Sequence, residues 1–107
     1  FIGLALHTGE HAPFLKLPLR DALQAGHHAL LAHGRAVGVL RSHAKTTPTI
    51  GWAPVGVVAI PATDSAADIE AARTATFAIR EPSLWSNTWF SDPVIFGRYP
   101  EDGLKVF

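Results

Sequence analysis

An α/β fold class is predicted by three features of the chain: a long helical stripe, an apolar run of strand type directly after it, and a capped second helix beyond. Leu23, Gly26, Leu30, His33, Val37 and Leu40 recur at steps of three and four, which places them on one face of a helix from Pro18 to about His43. Thr49 to Ile60 reads TIGWAPVGVVAI, the near-continuous apolar pattern of a strand buried on both faces. Ser65 with Asp68 three residues on resembles a capping box, and Ile69, Ala72, Thr76 and Ile79 continue at helical spacing. Loop, helix, strand, long loop and further helices together fit a sheet with helical crossovers.

Taken in order, Phe1 to Leu17 has no sustained period and is broken by Gly9 and Pro13, which predicts an ordered loop. Gly34 and Gly38 lower helix propensity in the long helix but allow a packed backbone to approach closely, as on a sheet. Pro54 lacks a ladder donor, so the strand proper is expected at Thr49 to Ala53, with a loop at its C-terminal end. A second helix is predicted from about Ala66 to Ile79, ended by Glu81-Pro82-Ser83. A short aromatic helix over Leu84 to Phe90 should stop before Asp92-Pro93, and Pro100, Glu101 and Asp102 read as the first turn of another. A lone strand has nothing to pair with and should not make a stable sheet by itself.

That deficit, with Phe1 in place of Met and no methionine anywhere, predicts residues 1–107 to be a single piece of a larger fold, incomplete at both ends. With 48% hydrophobic and 17% charged residues the composition is that of a globular protein. Nine basic and nine acidic residues cancel, which removes the electrostatic footprint that nucleic acid or an anionic membrane surface would need. No apolar run approaches the ~20 residues that span a bilayer. The absence of cysteine excludes thiolate metal sites and cysteine nucleophiles, and is compatible with the reducing cytoplasm as the expected location.

Six histidines raise the question of a metal site, yet Gly9 inside HTGEH works against the helix that would align His7 with His11, and no metal or cofactor is expected. His33 reads as a core histidine held through one ring nitrogen, and His27 and His28 as surface residues. Trp85, Trp89 and Phe90 could stack on a sugar ring, but aromatic residues at helical spacing read first as core. No nucleophile with a base, phosphate-cradling loop or paired carboxylates stands out, so spacing alone yields no reaction. A small non-catalytic module binding a metal or a glycan stays open on these grounds.

TGEHAP at Thr8–Pro13, HHALLAHGRAV at His27–Val37, IPATDSAADIEAAR at Ile60–Arg73 and NTWFSDPVIFGRYPED at Asn87–Asp102 resemble, in this order, the middle of a family 1 glycoside hydrolase of the beta-glucosidase type. The resemblance implies a partial TIM (β/α)8 barrel, from the loop after strand 4 through strand 5 and the following helices. It also implies a retaining hydrolase of beta-linked glucosides or oligosaccharides, or of their 6-phosphates, working without a cofactor. The family's acid/base in Asn-Glu-Pro and its nucleophile in Glu-Asn-Gly have no match in residues 1–107, and Glu10, Glu70, Glu81 and Glu101 lie in neither motif. The site residue the resemblance transfers is His11, on the leaving-group side of the pocket. Two departures stand out: Phe14 where a glycine commonly follows His-Ala-Pro, and Val55 near a position often held by asparagine.

Overall fold

The computed structural model describes residues 2–107, and among them the regular elements are all helical. A π-helical segment, Gly3–Thr8, is followed by α1 (Leu19–His43), α2 (Ala66–Phe77), α3 (Asn87–Phe96) and α4 (Glu101–Val106). The chain forms two compact units, dividing after Trp52.

In the first unit, the loop expected over the opening residues is instead partly π-helical, while Phe1 lies outside the described residues. Bonds of wide i→i+5 turns leave no 3.6-residue signature in six residues, so periodicity could not reveal it. Three of its carbonyls are closed by main chain beyond it: Leu4 O accepts from Glu10 N at 2.8 Å, Ala5 O from Leu15 N at 3.0 Å and Leu6 O from Leu17 N at 2.8 Å. The returning strand of chain thereby leads directly into Pro18, the residue before α1. Of the predicted stripe of α1, Gly26 and Leu30 are buried and Leu23 is half-buried, with Ala5 and Ala22 buried beside them. Towards the C-terminus His33 and Val37 are half-buried and Leu40 is exposed. The close backbone approach expected at Gly34 and Gly38 is not seen, because nothing lies within 4 Å of a Cβ built at either.

The strand expected at Thr49–Ala53 carries no strand pairing. A strand exists through hydrogen bonds to a neighbour, and among the described residues no stretch is paired as one. Trp52 instead lies with its indole 5.1 Å from the His33 imidazole. His33 therefore sits half-buried beneath an aromatic ring rather than inside a closed core.

In the second unit α2 begins where its cap predicts. Ser65 accepts from Asp68 N at 3.1 Å, while Asp68 accepts the Thr63 hydroxyl proton, and that same hydroxyl accepts from Ser65 N at 3.2 Å. Thr63 thus does what the glutamate of a full capping box would do. The helix ends at Phe77, two residues short of expectation, because the Ile79 N–H turns away to the Asp102 carboxylate at 2.8 Å. The aromatic helix starts later than predicted and runs through Pro93 to Phe96. Ser86 caps it by accepting from Trp89 N at 3.3 Å, and burial of Trp89 outweighs the one ladder donor that Pro93 lacks. Gly97 closes α3 with a φ of 69°, and Pro100 serves as N-cap of α4 rather than as its first residue.

The core of this unit gathers Ile79, Trp89 and Gly103, with the rings of Tyr99 and Phe107 at 4.4 and 4.5 Å from Trp89. A Cβ on Gly103 would meet Ile79 Cδ1 and Trp89 Cε3 at 2.7 Å each, so only glycine lets α4 approach this closely. Of the expected aromatic cluster Trp89 is core, Phe90 half-buried and Trp85 exposed.

Half-buried Asp92 has its carboxyl pushed above the usual carboxylate range, first by burial and then by the charge of Asp102, with Arg98 opposing. An acid whose folded pKa is raised binds more protons folded than unfolded, so stability falls as pH rises through that window and stays lower above it. Asp92→Asn is therefore expected to raise the melting temperature at pH 7. The gain should vanish as the pH falls to the carboxylate range, which melts of both proteins across pH would reveal.

Candidate functional site

The residue assigned to the leaving-group side, His11, stands on a turn that the sequence holds by its main chain. His11 N donates to Leu4 O at 3.2 Å, and His11 O accepts from Phe14 N at 2.7 Å across the cis Ala12–Pro13 bond, closing a turn with cis proline at its third position. The side chain of His11 is exposed. His7, its partner in HTGEH, is engaged elsewhere: its Nδ1–H donates to the Leu17 carbonyl at 2.8 Å and ties residue 17 to the π-helical segment. Among the described residues no group of three His, Asp or Glu side chains is placed to hold a metal ion.

Phe14 occupies the left-handed region at φ 61° with 66% of its surface exposed. Glycine would hold this backbone free of steric penalty, having no Cβ. Left-handed backbone costs an ordinary residue ~1–2 kcal/mol, and glycine's added chain entropy offsets ~0.5–1 kcal/mol of any relief. Phe14→Gly is therefore expected to stabilise the protein by about 0.5 kcal/mol, read as a small rise in melting temperature. A fall would show that the exposed ring makes compensating contacts.

The apolar residues after Pro54 form the second candidate segment. Val55, Val58 and Ile60 are 76%, 74% and 86% exposed, so burial among residues 2–107 does not hold this stretch. Side-chain hydrogen bonds do. Asn87 Oδ1 accepts from Val57 N at 3.1 Å, while Asn87 Nδ2 donates to Val57 O at 2.6 Å and to Thr76 O at 2.8 Å. Ala59 N donates to the Thr76 hydroxyl at 3.0 Å, which in turn donates to Ala72 O at 2.8 Å. Thr88 adds a bond to Phe77 O at 2.9 Å, so the Asn-Thr pair that opens α3 satisfies the last carbonyls of α2. Sequence reasoning placed Thr76 only on the stripe of the second helix and left Asn87 without a role; the signal available was the NTWF stretch, whose polar residues precede a buried tryptophan.

A groove of about 800 Å3 in the second unit is lined by Thr74, Arg80, Glu81, Trp85 and Asn87 among others. Glu70 and Glu81 both border it and both are exposed, as are Glu10 and Glu101 elsewhere. No described element is a helix long and apolar enough to cross a membrane.

The profile of glycosyl hydrolase family 1 matches residues 2–107. Beta-glucosidase A of Acetivibrio thermocellus is 39% identical over 99 residues, covering 92% of this chain and 20% of that protein. A beta-glucosidase of an Agrobacterium species is 38% identical over 98 residues, covering 92% of the chain and 19% of the relative. A cyanidin 3-O-glucoside 7-O-glucosyltransferase (acyl-glucose) of Delphinium grandiflorum is 40% identical over 82 residues, or 75% and 15% of the two chains. The chain thus spans about a fifth or less of the length of these relatives. With a match running from residue 2 to the last residue, this chain belongs to glycosyl hydrolase family 1.

Proposed function

We propose that residues 1–107 are an internal piece of a retaining beta-glucosidase that hydrolyses beta-linked glucosides. The observation that carries this reading is the likeness to two beta-glucosidases over 92% of the chain. In this reading Thr49–Ala53 is strand 5 of the barrel, α1 is the helix before it, and the rest of the protein supplies the neighbours that complete the sheet. A barrel enzyme carries its site on the loops after the strands. The turn holding His11 is then a leaving-group loop, and the segment after Pro54 is the loop that follows strand 5. Two glutamates outside residues 1–107, ~5 to 5.5 Å apart, perform the chemistry, one as acid and then base, the other as nucleophile.

The test uses the whole protein that contains these residues. Nitrophenyl beta-glucoside should be hydrolysed with the beta anomer as first product in the NMR spectrum, and nitrophenyl beta-glucoside 6-phosphate should be the poorer substrate. Preference for the phosphate would assign it to the phospho-beta-glycosidases of the same family. Transfer of glucose to an added phenolic acceptor in place of hydrolysis would make it a transferase.

His11→Ala should lower kcat/KM for an aryl glucoside about fivefold, the worth of one ordinary hydrogen bond of ~1 kcal/mol. Hydrolysis of the common glycosyl-enzyme should keep its rate, because the leaving group has departed by then. Equal loss in both steps would remove His11 from the leaving-group side.

A further inference from the structure

Asn87 treats one residue of the preceding chain as a strand would. Its amide accepts from Val57 N at 3.1 Å and donates to Val57 O at 2.6 Å, the pairing that two antiparallel strands make at a hydrogen-bonded site. The same NH2 group also donates to Thr76 O at 2.8 Å, which fixes the amide to the end of α2. Gly56 lies against it so closely that a Cβ there would collide with the amide oxygen. Among residues 2–107 Val57 is 61% exposed, like the apolar residues around it, and the contacts that hold its main chain are polar. Thr76 holds Ala59 N through one bond; Asn87 holds both main-chain groups of Val57.

We propose that Asn87 is a positioning residue that sets the leaving-group specificity of the enzyme by locking the main chain at Val57. The inference rests on the proposed function, in which residues 54–60 form the loop at the C-terminal end of a barrel strand, where such enzymes carry their sites. Asn87 touches no reacting atom. It acts through the loop, so its removal should alter how aglycones are told apart and not the chemistry that follows their departure.

The experiment compares the whole protein with its Asn87→Ala and Asn87→Asp variants on phenyl and 4-methylumbelliferyl beta-glucosides. Aspartate keeps the acceptor for Val57 N but loses both donated bonds and faces two carbonyl oxygens, so it should resemble alanine. The ratio of kcat/KM for the two aglycones is expected to shift about tenfold, the scale on which a reshaped pocket changes discrimination. The rate of glycosyl-enzyme hydrolysis should stay within about twofold of the parent, since that step contains no aglycone. Equal loss on both glucosides, or an unchanged ratio, overturns the proposal. If neither variant folds, Gly56→Ala, whose Cβ would collide with the Asn87 amide, must shift the ratio instead, and no shift there overturns it as well. Hydrogen exchange of the unmodified protein adds a check independent of variants: the Val57 amide must be protected. A parent inactive on every beta-glucoside refutes the proposed function and takes this inference with it, an outcome distinct from an active parent whose variants keep their ratio.

Discussion

Trp89→Ala should be the most damaging single substitution in the second unit, lowering stability by about 3–5 kcal/mol. The ring is only 8% exposed and is the hub on which Tyr99 and Phe107 pack at 4.4 and 4.5 Å. Truncation removes the buried ring and strands its aromatic neighbours, each such pair contributing ~0.5–1.5 kcal/mol beyond burial. The backbone of α4 approaches this ring through Gly103, so collapse into the hole is limited by helices already in contact. Trp89→Phe keeps a ring in the site and should lose no more than about half as much. Thermal melts of the whole protein, with hydrogen exchange to localise the effect in α3 and α4, would measure both. An alanine variant that melts within a degree of its parent would show that Trp89 is not the hub.

Asp102→Ala is expected to follow at about 2–3 kcal/mol. Its Oδ2 accepts from Ile79 N at 2.8 Å and its Oδ1 from Gly103 N at 2.9 Å. Ile79 is 5% exposed, so its N–H loses its partner in a site largely closed to water once the carboxylate is gone. Such an orphaned donor costs ~1–3 kcal/mol, and loss of an acid from the first turn of α4 adds ~0.3–1 kcal/mol. Asp102→Asn retains an acceptor for Ile79 N and should recover much of the loss, which separates the hydrogen bond from the charge. Removing the Asp102 charge also takes away one of the two causes that raise the Asp92 carboxyl, so the pH dependence of stability should weaken in both variants. An unchanged pH profile would mean that burial alone governs Asp92.

How much could be read from the sequence differs by segment, and the reason is the range of the forces involved. α1 was legible almost to the residue, because its stripe repeats over many turns and its periodicity is local. The start of α2 was legible from Ser65 and Asp68, a cap made within one turn. Its end was not, since Ile79 answers to Asp102, a partner 23 residues away. Proline rules misplaced α3 for the same reason: Pro93 forbids a bond locally, but Trp89 gains more by being buried between Tyr99 and Phe107 than the helix loses. The apolar run at Thr49–Ile60 has strand chemistry without strand neighbours, and a strand is a property of a pair. Of the candidate site, His11 could be named only through resemblance, and Asn87 not at all, because a single amide gives no pattern until its partner 30 residues away is known.

By itself, then, the sequence determined the family, the long helix and the capped start of the second, all of which rest on near neighbours in the chain or on residues in a fixed order. Only the tertiary structure decided which aromatic residue is core, why glycine stands at position 103, and that the main chain at Val57 is held by Asn87. Those outcomes turn on distances between residues far apart in sequence, where the free energy belongs to a contact and not to either residue that makes it.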